Sequence, residues 1–378
     1  MCCGQPAARA TISCVMIVRD AEATLERALN SIARCFDEII IVDTGSIDQT
    51  RELARRFTTQ VYDFHWCDDF SAARQYGHDL CESNWVFFLD ADDEVFGAEL
   101  LRSLVNVAPP HMDAYMLRYV TALDARGRAI QEFYRERLTR KHTMRWAGRV
   151  HEVMVPANGS CAYERFDGCW VLHHGHRDET GSMARNIRLL RLDLAERPDD
   201  TRTQFYLGRD LVMSGEVQEG RQLLEAYQAA STWSDERFAA LILIGHSLRV
   251  ERRFYDAYVS DLRMLLVQPL WPQAYFALAQ DCYYLKLWPE CVHYSEIGQG
   301  MPIPATNLFQ SPTDLESGWM IYAAVALYHC GKVAEAAEIT IRALTLRPND
   351  PQHTLNAVFF AQQMEAHIHD RVPAGAGC

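Results

Sequence analysis

A chain of 378 residues is about twice the usual length of one domain, so two domains are expected. Hydrophobic residues at 49% and charged residues at 23% are ordinary for a globular protein and exclude a mostly disordered or collagen-like chain. Lys and Arg number 37 against 50 Asp and Glu, a formal net charge of -13, which disfavours a global grip on nucleic acid or an anionic membrane but leaves room for a local basic patch.

The first half alternates strand and helix signals. Ile12 to Val18 is a continuous apolar run, as a strand buried on both faces requires. Arg19-Asp20 stop it well short of the roughly 20 residues of a membrane span, and it is too short and unflanked for a secretory signal. Asp20 is expected to cap a helix whose apolar positions Leu25, Ala28, Leu29, Ile32 and Phe36 keep a helical period. Glu38 to Val42 is the next buried strand. It ends in Asp43-Thr44-Gly45-Ser46, where Ser46 and Gln49 suggest a capping box for a helix over Thr50 to Arg56. A short strand near Val61, a helix from Phe70 to Cys81 and the strand Trp85 to Leu89 follow. This βαβαβ order predicts a parallel, doubly wound sheet.

After residue 110 the texture changes. Ala114 to Val120, Phe133 to Thr139, Val150 to Val155 and Cys169 to Leu172 read as strands, with an Asp124 to Gly127 turn between the first two. Antiparallel additions to the sheet are expected. From about residue 183 only helical periodicity remains, with an internal repeat. Gly208, Gly245 and Ala279 mark equivalent small positions, and a further unit opens with Tyr322 to Tyr328 and closes at Pro348. Small residues let paired helices approach, and the proline stops the second helix. These units resemble tetratricopeptide repeats, with a loop-like spacer from Met301 to Glu316. The expected division is a tail 1–10, an α/β domain 11–182, a helical repeat domain 183–368 and a tail 369–378.

Twelve cysteines contain no C-x-x-C pair, so zinc spacing is lacking and a disulfide framework is disfavoured. Cys14, Cys282 and Cys330 read as small buried hydrophobes. A reduced, cytoplasmic protein is expected. Lipidation of Cys2-Cys3 is disfavoured, because neither a glycine after Met1 nor a basic flank is present.

The string most informative about chemistry is Asp90-Ala91-Asp92-Asp93-Glu94, directly after a strongly apolar strand. Ligands bind at the carboxyl ends of strands in an open α/β sheet, and hard divalent cations take carboxylate oxygens together with substrate phosphates. Asp43, at the end of the preceding strand, can accept hydrogen bonds from a nucleobase or ribose, and Gly45 permits close backbone approach; a plain strand-to-helix turn explains the same residues equally well.

Together, Val18-Arg19-Asp20, Ile41 to Thr50, Asp69 to Arg74 and Leu89 to Glu94 resemble, in order and spacing, the family-2 glycosyltransferases of GT-A fold over residues 10 to 180. With the repeats behind it, the chain is similar to bacterial or phage glycosyltransferases with a tetratricopeptide tail, a group that includes enzymes acting on peptides. The resemblance implies a Rossmann-like, mostly parallel sheet with antiparallel additions, followed by an all-α repeat domain. It implies a nucleotide-sugar donor such as UDP-glucose, bound by Val18, Arg19, Asp20, Asp43, Gly45, Arg74, Asp90 and Ala91. Asp43 would meet the base, Arg74 would lie near the diphosphate, Asp90 would contact the ribose and Asp92 would hold Mn²⁺ or Mg²⁺. Asp20 departs from the asparagine frequent in the family.

Inverting transfer needs a group to take the acceptor proton while the diphosphate leaves from the opposite face. Glu152, in Gly148-Arg149-Val150-His151-Glu152, is the expected base, with Asp93 in reserve; an ion pair between Glu152 and a nearby arginine is the structural alternative. In Val171-Leu172-His173-His174-Gly175-His176, similar to a late His-x-Gly string of the family, His173 is the expected second metal ligand and His174 the alternative. Arg126 to Arg149 carries eight basic residues against Glu132 and Glu136, a net +6. Most should face solvent, while Arg137, with His151 and His174, could meet diphosphate or acceptor. A peptide or protein acceptor is favoured, ahead of a glycan or lipid-linked one and of modified DNA; the repeats could also support a homodimer. An inactive nucleotide-binding scaffold and a nucleotidyltransferase are the competing readings, the latter disfavoured by the lack of a Gly-rich loop after the first strand.

Overall fold

The computed structural model describes residues 9–369 other than 125, 176–178, 305, 307, 309, 310, 312 and 313. Cys2-Cys3, most of both tails, Ala125 of the expected turn and His176 lie outside the described residues. The elements in chain order are β1 (Ile12–Val18), α1 (Leu25–Ile32), β2 (Glu38–Asp43), α2 (Thr50–Arg55), β3 (Val61–Asp63), α3 (Phe70–Leu80), β4 (Trp85–Asp90), β5 (Asp93–Phe96), α4 (Leu101–Asn106), β6 (Ala114–Leu123), β7 (Ala129–Arg140), β8 (Met144–Ala147), β9 (Val153–Pro156), β10 (Tyr163–His173) and α5 (Glu179–Glu196). The helices α6 (Thr201–Ser214), α7 (Val217–Ala230), α8 (Ser234–Val250), α9 (Phe254–Leu262), α10 (Met264–Val267), α11 (Pro272–Tyr284), α12 (Trp288–Gln299), α13 (Met320–His329), α14 (Val333–Leu346) and α15 (Pro351–His369) follow.

Eight strands form one sheet in the order β3-β2-β1-β4-β7-β6-β10-β5, and β8 pairs with β9 in a separate ribbon. β1 runs parallel to both β2 and β4, and β3 runs parallel to β2. β7 joins β4 antiparallel, and β5 closes the far edge antiparallel to β10. The chain winds outward from β1 in both directions, which opens a crevice at the carboxyl ends of β1 and β4. Alternate side chains of the buried strands feed two cores. Cys14, Met16, Phe87 and Leu89 pack with Leu25 and Leu29 of α1 on one face. Val15, Val42, Val86 and Phe88 pack with Trp146 and Met154 on the other. The basis is the pleat, which sends successive residues to opposite faces.

The sequence reading is corrected in several places. α1 stops at Ile32, before Phe36, neither Thr24 before α1 nor Gln49 before α2 caps its helix with its side chain, and it is Asp48 that accepts the Thr50 amide of α2 at 2.9 Å. Asp20 instead accepts the amide of Ile47 at 2.8 Å and donates its own amide to Ser46 Oγ at 3.0 Å. Both side chains stitch the loop after β1 to the loop after β2 rather than closing local turns. Gly148 to Glu152 is loop, and the strand begins only at Val153. Cys330 is exposed, whereas Cys14 and Cys282 are buried. The basic segment is mostly bound inside the fold: Arg135 donates to the Glu152 carbonyl at 2.9 Å, Arg140 to the Met112 carbonyl at 2.9 Å, and Arg149 pairs with Asp193 at 3.2 Å.

The chain divides into two compact units, the break falling after Asp210. The first therefore extends past residue 182 and takes in α5 and most of α6. The second is all helical in the described residues, with α7 on α8, α8 on α9, α11 on α12, α13 on α14 and α14 on α15. Gly245 of α8 lies against the Asp261 carboxylate of α9, where any Cβ would collide. There Arg249 donates to Asp261 at 2.6 Å and to Asp281 at 2.8 Å, and both aspartates are fully buried. No helix among the described residues is long and apolar enough to cross a membrane.

Burial raises the Asp281 carboxyl to about 8, against the pull of Arg249 and with the help of Asp261. Because the folded value lies above the unfolded one, the protonated carboxyl is the form the fold favours. Its effect on stability worsens as pH rises from about 4 to about 8, by at most about 1.4 kcal/mol per pH unit. Asp281→Asn is therefore expected to melt higher than the parent at pH 8, with the gain shrinking at pH 5; thermal denaturation at the two pH values checks this.

Candidate active site

The carboxyl ends of β1 and β4 open into a cavity of about 350 Å³, within the 300–1,000 Å³ range of small-molecule sites. Val18 and Arg19 at the end of β1, Thr44 after β2, Arg74 on α3 and Asp90, Ala91 and Asp92 at the end of β4 line it. Trp66 and Phe70 form an aromatic wall, and Arg185 enters from α5.

Behind this wall lies a charge network in which each acidic residue has a different environment. Arg74 donates from Nη2 to Asp90 at 2.5 Å and from Nε to Glu152 Oε1 at 2.6 Å. Arg137 is wholly buried and pairs with Asp90 and Asp93, each at 3.2 Å. Burial opposes ionisation of Asp90, but Arg74 and then Arg137 outweigh it and hold the carboxyl well below its usual value. Asp93 is fully buried with both oxygens engaged: Tyr119 Oη donates to Oδ1 at 2.9 Å, and Oδ2 receives Arg137. Glu94 faces His174 at 2.8 Å.

Asp92 is the remaining carboxylate of the run. His173 Nδ1 lies 3.6 Å from its Oδ1 and 3.0 Å from Asp93 Oδ1. Ligand atoms of Asp92, Asp93 and His173 fall within 4.8 Å of one another. Burial raises the Asp92 carboxyl above its usual value, His173 opposing and Asp90 and Asp93 adding to the rise. For His173, burial works against the charged form, but Asp93 and Asp92 together raise its pKa. This is the pattern of an anionic pocket that lacks enough positive charge.

The residues singled out in the sequence separate accordingly. Val18, Arg19, Arg74, Asp90, Ala91 and Asp92 share the cavity wall, and the imidazole of His173 rather than that of His174 adjoins the Asp92 carboxylate, His174 donating only its backbone amide to the Asp92 carbonyl. Asp43 is buried at the end of β2, where Gly45 and Ser46 amides and Arg51 Nε all donate to its Oδ1; its Oδ2 is buried with no partner in the described residues. Gly45 adopts φ 108, and an added Cβ there would meet nothing within 4 Å. The glycine thus accommodates a left-handed turn with open space beside it.

Three expectations need correction. Arg137 lies beneath the carboxylates, with no exposed surface to meet a diphosphate. His151 is turned to α6, 2.8 Å from Asp210 and stacked on Tyr206 at 4.7 Å between ring centres. Asp93, offered as a reserve base, is saturated by internal partners. Glu152 is ion-paired to Arg74, yet its Oε2 accepts no hydrogen bond from the described residues. Sequence reasoning missed Trp66 and Arg185 as cavity residues: the tryptophan stands in an unpatterned loop, and the arginine is one of many polar positions on a helix.

An open α/β sheet with an acidic cluster and a cavity at its carboxyl edge, followed by paired helices, is the architecture of a ligand-binding α/β domain that carries helical repeats. Residues 13–167 match the family model described as Glycosyl transferase family 2. The chain is 28% identical to a TPR repeat-containing protein of Synechococcus elongatus, over 95% of this chain and 91% of that protein. It is 26% identical to the SPbeta prophage-derived glycosyltransferase SunS of Bacillus subtilis, covering 65% of this chain and 60% of SunS. Among solved structures, the crystal structure of MamA matches with a TM-score of 0.38 at 16% identity, over 44% of this chain and 90% of MamA.

Proposed function

We propose that the protein is a metal-dependent, inverting glycosyltransferase that moves a sugar from a nucleoside-diphosphate donor, of the UDP-sugar type, to a peptide or protein acceptor. The observation that carries this reading is the Asp92–Asp93–His173 cluster at the edge of the cavity. A charge-deficient carboxylate beside an imidazole suits Mn²⁺ or Mg²⁺. Asp92 and His173 would hold the ion, and Asp93 would orient the imidazole. When bound, a divalent cation supplies Lewis-acid stabilisation of the leaving diphosphate.

The chain's own residues do the rest. Asp43, buried behind Thr44 of the cavity wall, would set the loop at the base end of the cavity through the Gly45 and Ser46 amides that donate to its Oδ1. Trp66 and Phe70 exclude water from the donor. Glu152 takes the acceptor proton on Oε2, with Arg74 fixing its orientation through Oε1. As that proton leaves, the acceptor heteroatom bonds to the anomeric carbon and the carbon–oxygen bond to the diphosphate breaks. The paired helices support an extended peptide as acceptor, because repeat arrays present long surfaces suited to chain segments.

A thermal-shift panel tests the donor reading, since a ligand of the folded state raises the melting temperature. UDP with Mn²⁺ is expected to raise it more than either alone. Equal shifts for all nucleotides without metal would remove the assignment.

A further inference from the structure

Resting on the reading of Glu152 as the base, we propose that His151 is its positioning residue: the imidazole, seated on α6, sets where the Glu152 carboxylate stands. That seat comes from outside residues 13–167, the segment that matches the family. Residues 148–152 belong to neither strand nor helix, so individual contacts define their course. The Arg149 carbonyl accepts the Phe70 amide at 2.8 Å, and the Arg149 amide donates to Asp193 of α5 at 3.0 Å. The His151 carbonyl accepts Arg202 of α6 at 3.1 Å, and the Glu152 carbonyl accepts Arg135 of β7 at 2.9 Å.

His151 adopts φ 51, a left-handed conformation that a residue with a Cβ holds only where its surroundings impose it. Here α6 imposes it. The imidazole stacks on Tyr206 at 4.7 Å between ring centres and 20° between planes, and its Nε2 lies 2.8 Å from Asp210 Oδ2. Tyr206 is itself held by Arg202 and Arg209, whose guanidinium carbons each lie 4.6 Å from its ring centre. Arg209 also pairs with Asp210 at 2.8 Å. The turned backbone sends neighbouring side chains apart: His151 to α6, and Glu152 to Arg74 of α3, whose Nε donates to Oε1 at 2.6 Å. Without its seat the backbone at 151 is free to relax, and the next residue's carboxylate moves with it. A shift of about 1 Å in a reacting group is enough to cost about 100-fold in rate.

Hydrolysis of UDP-glucose by the full chain with Mn²⁺, in which water stands in for the acceptor and gives its proton to Glu152, tests the assignment. His151→Ala is expected to lower kcat about 100-fold, while the KM for UDP-glucose and the calorimetric affinity for UDP keep their parental values. His151→Asn, a residue tolerant of the left-handed backbone, should recover part of the rate. Glu152→Gln should be at least as slow as His151→Ala, and adding His151→Ala to it should change nothing, because a residue that acts through Glu152 then has nothing to position. If His151→Ala melts far below the parent, Asp210→Leu makes the same comparison from the α6 side. A parental kcat in the folded His151 variant, or an equal slowing with and without Glu152, would overturn the role of His151 and leave the base reading standing. A parental kcat in Glu152→Gln would overturn both.

Discussion

Replacing Asp92 with alanine is expected to slow sugar release from the nucleotide-sugar donor by about 10³-fold, the scale seen when one electrostatic element of a transition state is removed. The other acids of the run are already matched: Asp90 by Arg74 and Arg137, Asp93 by Arg137 and Tyr119, Glu94 by His174. Among the described residues, the Asp92 carboxylate has only the imidazole of His173 at 3.6 Å, and it lines the cavity. Its charge is thus the one left to recruit a cation. Asp92→Asn keeps the shape and removes the charge, so it should be nearly as damaging while melting at the parental temperature. Donor hydrolysis followed with and without Mn²⁺ makes the measurement. Retention of activity within tenfold of the parent would show that another group carries this charge.

Arg137→Met is expected to cost about 3–5 kcal/mol of folding stability, because it strands the buried Asp93 carboxylate and leaves Asp90 with Arg74 alone. The arginine is fully buried, stacks at 4.4 Å on both Phe88 and Tyr119, and reaches Asp90 and Asp93 at 3.2 Å. Asp93 has no exposed surface through which water could replace the lost partner. Urea denaturation gives the loss, and adding Asp93→Asn should restore part of it, since the remaining group then carries no charge. The pH dependence has a definite sign. Asp90 is depressed in the folded state, so its contribution is complete above the unfolded value near 4 and is lost only as pH falls towards the folded one. A loss that is unchanged by Asp93→Asn would mean that packing, not charge, dominates.

Much of the sheet was legible because burial on both faces leaves little choice of residue. Ile12 to Val18, Ile39 to Val42 and Trp85 to Leu89 could hardly be anything but central strands. β5 escaped notice because Asp93 and Glu94 carry chemistry in a strand only four residues long. β8 escaped because Arg145 and Trp146 look like part of the basic segment. The misplaced caps have a common cause: Asp20 and Ser46 have the right residue types for helix starts, and only the tertiary fold reveals that each serves the other's loop.

Within the site, residues next to strand ends were readable, since position in an α/β sheet predicts exposure to the cavity. Side-chain direction was not. Nothing in the sequence separates Arg137, sealed under the carboxylates, from Arg135 two residues away on the same strand. His151 likewise stands beside Glu152, yet its ring is committed to Asp210. Arg185 could not be found at all, because helical periodicity says which face is apolar but not which polar residue meets a neighbouring loop.

The pairing of β10 with β5 also bears on how the molecule emerges from the ribosome. His173 and Asp93 are separated by 80 residues, and α5 follows later still. A nascent chain can lay down β1, β2 and β4 early, but its acidic loop must wait, without its imidazole or its covering helix, until those later segments have been synthesised. At about 5–20 residues per second the delay is several seconds. During that interval the half-built pocket offers a bare cluster of carboxylates, so the site is completed late, first by β10 and then by α5, rather than as the early strands form.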